Sequence, residues 1–228
     1  MTKQPTVRVA GTASRWAPAD HADVTFTVTR RGRTGADAVA AAGEAYAALD
    51  AALVDAAGAI VRRTTTSLSV HETGHHDPET GRWVRDGFEA SRAQTARFAP
   101  LAGAGDALRS VMTAVDDLVL DGPVFGLAPD NPVHAAVRSD AAAAARASAA
   151  AYADGLELHL GEVLRLSEPG TGGPRPYGET GPMARMVMKA GGPAADADAG
   201  AAVLVELTDE DVEVTATIEL LVALAPTP

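Results

Sequence analysis

Apolar and polar residues alternate along this chain with a period that changes several times, and each change predicts an element. Val7 to Ala10 reads as a short strand that Gly11 is expected to end. Val24, Phe26 and Val28 alternate with Thr25, Thr27 and Thr29, the two-residue period of a half-buried strand broken at Gly32 and Gly35. The period then lengthens. Val39, Tyr46, Leu49 and Leu53 share one helical face, with Asp37, Glu44 and Asp55 opposite and Gly58 at the expected C-terminal cap. Ile60 to Val70 returns to strand alternation, the polar segment His71 to Gly87 follows, and Phe88 to Phe98 resumes as a strand, so the three together predict a hairpin with a polar tip.

Leu108, Val111, Met112 and Val115 predict a second helix. Leu118 to Leu127 reads as a strand whose Gly122–Pro123 pair implies a bulge or a sheet edge. Asn131 and Pro132 open a third helix, with Asn131 as cap, that runs to about Asp154. Strand patterns return at Leu158 to Leu166 and at Val212 to Leu220. The predicted order is β-β-α-β-β-α-β-α-β-β. Hairpins mixed with three helices argue for an α+β fold with a largely antiparallel sheet. One domain over 1–228 is expected, with 1–100 and 101–228 as alternative subdomains and a mobile Gly/Pro-rich loop over 169–200.

Composition narrows the chemistry. Of 228 residues 46% are hydrophobic but only 4% aromatic, so the core must be built from Val, Leu and Ala in closely packed elements. The chain has no cysteine, which excludes disulfides and thiolate chemistry. A net charge of -11 disfavours nucleic-acid partners unless basic residues gather in a patch. The two basic clusters, Arg30/Arg31/Arg33 and Arg62–Arg63, read as solvated strand ends. No secretion signal is readable at the N-terminus, and no apolar run is long enough for a membrane span. A cytoplasmic location is therefore expected.

The best candidate for chemistry is the His71-Glu72-x-x-His75-His76-Asp77 cluster. Imidazoles beside carboxylates suit zinc, copper or nickel, and the metal ligands would be His71, His75, His76 and Asp77. The His71-Glu72-x-x-His75 spacing falls on a predicted hairpin and not on a helix, which would fix its geometry, so a hydrated hairpin tip is the favoured reading of the same residues. Met183, Met186 and Met188 offer thioethers for Cu(I), or plain filling of an apolar edge. The glycines of Gly170 to Gly181 lack the Lys-Ser/Thr ending and the frame of a phosphate loop. There is no G-x-S-x-G elbow. The alanines of Ala141 to Ala151 allow close approach of another backbone, or reflect helix propensity alone.

Several segments together resemble the SIMPL family. They are Val7-x-Val9-x-Gly11, Pro18-x-x-x-x-Asp23-Val24, the Ala-rich helix ending at Gly58, Thr64-x-x-Ser67-Leu68, Gly87-Phe88-x-Ala90, Gly122-Pro123-Val124-Phe125-Gly126-Leu127, Ala145-Arg146, and Leu160-Gly161-x-Val163 with Glu168. Phe88 replaces the tyrosine that the family carries in that strand, and Glu157 stands where the family often has glycine. The resemblance implies an α+β fold, a propensity for higher oligomers and, in some members, an association with envelope or oxidative-stress phenotypes. It supplies no catalytic residues and no cofactor. The function expected from residues and resemblance together is non-enzymatic: a stress-related homo-oligomer acting through protein surfaces. The alternatives are a small-molecule or metal-binding module, using the hairpin tip or a sheet–helix cleft, and a hydrolase with a dispersed site.

Overall fold

A computed structural model describes residues 4–169 and 210–226. Among these residues the elements in chain order are β1 (Thr6–Pro18), β2 (His21–Gly32), α1 (Gly35–Asp55), β3 (Ile60–Thr65), β4 (Ser69–His76), β5 (Trp83–Phe98), α2 (Ala104–Ala114), β6 (Leu118–Gly126), α3 (Pro132–Gly155), β7 (Leu158–Ser167) and β8 (Asp211–Pro226). All strand pairs are antiparallel. The α+β class expected from the pattern is the one observed. The predicted order lacks one strand, because Ile60 to Val70 is two strands separated at Thr66–Leu68. Thr66 turns its hydroxyl and amide onto Ala93, which interrupts the ladder there.

The described chain divides into two compact units, at 18/19 and 126/127. A boundary at residue 100 is not observed, because Phe98 and Leu108 belong to one core. The expected 169–200 loop, its glycine run and Met183, Met186 and Met188 fall almost wholly outside the described residues.

One unit is a three-stranded sheet in the order β1-β8-β7 with α3 against it. Val137, Ala141, Ala145, Ala149 and Ala153 recur at four-residue spacing and form the buried stripe of α3. The first four pack on Val9, Ile218, Leu220 and Val222 of the sheet. Alanine leaves little side chain between helix and sheet, so the gain comes from close approach of the two backbones. At Gly11 the approach is close: a Cβ there would sit inside the Ala141 carbonyl oxygen and the Ala145 amide nitrogen. β1 therefore passes straight through Gly11 to Pro18, where the sequence pattern ends it. Asn131 caps α3 as expected, its side chain accepting from the Val133 amide. The turn after α3 puts Glu157 at φ 55, a left-handed conformation that favours the glycine the family often carries.

The other unit is a five-stranded sheet in the order β3-β5-β2-β6, with β4 continuing along β5 beyond β3. Its inner face is Val24, Phe26, Val28, Ala96 and Phe98, covered by Leu49 and Leu53 of α1 and by Leu108 and Val111 of α2. The outer face carries the alternate residues. Arg97 donates from Nε and Nη2 to the two carboxylate oxygens of Asp23 at 2.8 and 2.7 Å, and the Thr25 and Thr95 hydroxyls meet at 2.9 Å. β6 is an edge strand with a register shift opposite Asp23/Thr25, which accommodates Pro123 as the pattern requires.

α1 starts with a reciprocal cap between Thr34 and Asp37. Its contact face is Ala38, Ala42, Leu49 and Leu53, whereas Val39 is exposed. Gly32 explains the shift: a Cβ there would meet the Ala38 backbone, so the helix start lies on the end of β2 through its smallest side chains. Gly58 is not the cap. Ala56 ends the helix, and Gly58 lies in a short 3-10 turn.

Gln94 lies on the inner face opposite Phe26, 2% exposed, and its Oε1 has no hydrogen-bond partner among the described residues. An unsatisfied buried acceptor costs roughly 1–3 kcal/mol. Gln94→Met keeps the shape and removes the polar atom, so it should raise the urea midpoint, with a gain of about 1 kcal/mol in stability. A lowered midpoint would show that Oε1 is satisfied in solution.

Candidate functional site

The polar segment expected as the hairpin tip is itself strand. β4 runs to His76 and β5 begins at Trp83, so the tip is only Asp77 to Arg82. β2 leaves β5 at Phe88, and the hairpin beyond that point is a two-stranded ribbon among the described residues. A ribbon with no third strand buries no face, which is why its sequence shows no apolar alternation.

The four metal-ligand candidates have separate partners. His71 Nε2 lies 3.4 Å from Glu89, and His75 Nδ1 donates to Asp86 at 2.9 Å. The His76 ring meets Trp83 edge-on at 5.2 Å between centroids. Asp77 accepts from the Glu79 and Thr80 amides, and these bonds hold its carboxyl below the usual carboxylate range. His71 with Glu89, or His75 with Asp86, offers two ligands at most. Among the described residues no group of three metal-ligating side chains converges.

These pairings border an open cleft of about 520 Å³ at the root of the ribbon, lined by Arg31, Gly32, Arg33, Thr73, Gly74, Asp86, Gly87 and Phe88. Glycine is required at Gly87, where a Cβ would lie 2.6 Å from the Gly32 carbonyl oxygen. Arg31 donates to Glu89 at 3.1 Å, which also faces His71. Asp86 is held by His75. Thr73 makes no side-chain hydrogen bond to a base among the described residues, so the cleft presents charge and shape without a nucleophile–base pair. Of the remaining basic residues, Arg30 donates to the Thr29 and Asp116 carbonyls, and Arg63 pairs with Asp50 at 2.9 Å.

Sequence reasoning missed the buried histidine. His21 is 6% exposed, and its Nδ1–H donates to Asp20 at 2.6 Å. Its ring lies against Gly126, where a Cβ would be 2.6 Å from Nε2. The adjacent Asp20–His21 pair was the only signal, and burial cannot be read from it.

The described sheets also leave open edges: β1 and β7 in one unit, β6 and the β3/β4 side in the other. Exposed large apolar residues concentrate there. Among the described residues only Val39, Val54, Tyr152 and Leu156 lie on helices or their ends. Leu68 lies in the break between β3 and β4, and the others belong to the edge strands or the ribbon, with Trp16 on β1, Val124 on β6, Trp83 on the ribbon and Leu166 on β7 among the most exposed.

Comparison with protein families matches residues 7–220 to SIMPL, a protein of unknown function (DUF541). The chain belongs to the SIMPL family. The match runs across both units and most of the chain, as the resemblance of its motifs implied. No curated protein matches this SIMPL chain. The family description carries no activity, so the surfaces of the SIMPL fold are what a functional reading has to rest on. No helix among its described residues is long and apolar enough to cross a membrane.

Proposed function

We propose that this SIMPL protein is a non-enzymatic, self-associating protein that acts through its open strand edges, pairing with further copies of itself. The observation that carries the reading is the placement of exposed apolar side chains on edge strands. An open edge offers unpaired N–H and C=O groups, and neighbouring apolar side chains add burial when a second strand docks. β7 has the densest set, Val163, Leu164 and Leu166. The cleft at the ribbon root supports a role without catalysis, since Asp86 and Glu89 are already engaged by histidine and arginine.

The net charge of -11 makes copies repel one another at long range. Association should therefore strengthen as salt screens that repulsion. Val163→Lys with Leu166→Lys should weaken association by about tenfold or more, which is roughly 1.4 kcal/mol. Sedimentation velocity at matched concentrations reads this directly. An unchanged mass distribution, both in this variant and in one that also carries Val119→Lys and Val124→Lys, would remove the β7 and β6 edges as the contact.

A further inference from the structure

We propose that the face of the β1-β8-β7 sheet turned away from α3 carries an oxyanion-binding site formed by Arg8, Arg165 and Ser167. Arg8 pairs with Leu221 from one side and Arg165 pairs with it from the other. The two arginines thus flank one residue, two strand spacings or roughly 10 Å apart. Ser167 pairs with Glu219, the next outward-facing position along β8. Arg8, Arg165, Ser167, Glu219 and Leu221 line a single concavity of about 110 Å³. That is several times the roughly 10–15 Å³ one water needs, and enough for a carboxylate or phosphate group.

The arrangement depends on an irregular strand. β7 carries an extra residue between Leu160 and Val163 and another between Val163 and Arg165. Without the second, Leu164 would oppose Leu221, and Arg165 would turn toward the helix side. Bulges of this kind re-aim side chains. Here the re-aimed residue meets Arg8.

Two arginines on one sheet face repel each other, and neither Arg8 nor Arg165 has an ion pair among the described residues. Glu219 is diagonal to both and forms an ion pair with neither. Two guanidiniums and one carboxylate leave an excess of positive charge at this spot, in a chain whose total is -11. An oxyanion between the guanidinium forks would relieve the repulsion and accept from both arginines and from the Ser167 hydroxyl.

Calorimetric titration of the full chain with inorganic phosphate and, separately, with succinate tests the site at about 0.15 M ionic strength, where repulsion from distant carboxylates is screened. The parent should bind one of the two saturably, one per chain, and the tighter probe assigns the group as phosphoryl or carboxylate. Arg8→Gln and Arg165→Gln should each weaken binding about tenfold or more, with Arg146→Gln on α3 as an unaffected control. All three positions are exposed, and unchanged circular dichroism would show that the variants fold. Heats that never saturate in the parent, or equal binding by the double Arg8→Gln/Arg165→Gln variant, would overturn the proposal. A third overturning result is a parent without saturable binding whose Arg165→Gln variant only forms larger oligomers. The arginine would then serve to blunt the open β7 edge.

Discussion

Gly11→Ala is expected to destabilise the β1-β8-β7 unit by about 3 kcal/mol, the upper end of what overpacking costs. The new methyl group would be driven into the main chain of α3 at Ala141 and Ala145. Main-chain atoms of a helix cannot swing aside as a flexible side chain does. The helix would have to lift from the sheet along the stripe of Ala141, Ala145 and Ala149, and alanine contacts are lost quickly as a gap opens. Removing the facing side chain should not rescue the variant: Ala145→Gly leaves the obstructing nitrogen and oxygen in place. Hydrogen exchange should show lost protection in β1, β8 and α3. A loss of stability below about 1 kcal/mol, or full rescue by Ala145→Gly, would contradict the packing described.

Phe98→Ala is expected to cost the other unit about 3–5 kcal/mol. Phe98 is fully buried and meets Phe26 edge-on at 6.5 Å between ring centroids. With only 4% aromatic residues in the chain, this pair supplies much of the core volume, and the neighbouring valines and alanines are too short to fill the space. The buried cluster around Phe98 shares no residue with the cluster around Ala145. Loss of exchange protection should therefore concentrate in β2, β5, α1 and α2. An equal loss in β1, β8 and α3 would show that the two cores melt as one.

These two residues also show how much of the fold was legible. Phe98 belongs to a strand whose neighbour β2 has unbroken apolar–threonine alternation, and both strands were readable from that period. Asn131–Pro132 is a local signal with a local cause, and it placed the start of α3 correctly. Gly11 was misread because a glycine in a strand looks the same whether it ends the strand or admits a helix, and only the partner 130 or more residues later decides. The break at Thr66 depends on Ala93, and the extra residues in β7 depend on the register of β8. Ala38 and Ala42 replaced Val39 at the α1 contact because Gly32 lets the helix start approach closely, again a property of the pair and not of the helix.

The candidate sites were less legible than the fold for the same reason. His71, His75, His76 and Asp77 are close in sequence, yet their side chains go to four different partners along a ribbon. Arg8 and Arg165 are far apart in sequence and meet only because β8, from the other end of the chain, lies between them. Proximity along the chain overstates convergence, and β-sheet pairing creates convergence that no spacing reveals.

Association through open strand edges is tested most directly by the mass of the full chain in solution, followed by light scattering over a wide range of concentration and salt. A mass that rises to multiples of the single chain, and rises further with salt, is the expected result. A single-chain mass at every concentration and every salt level would contradict it.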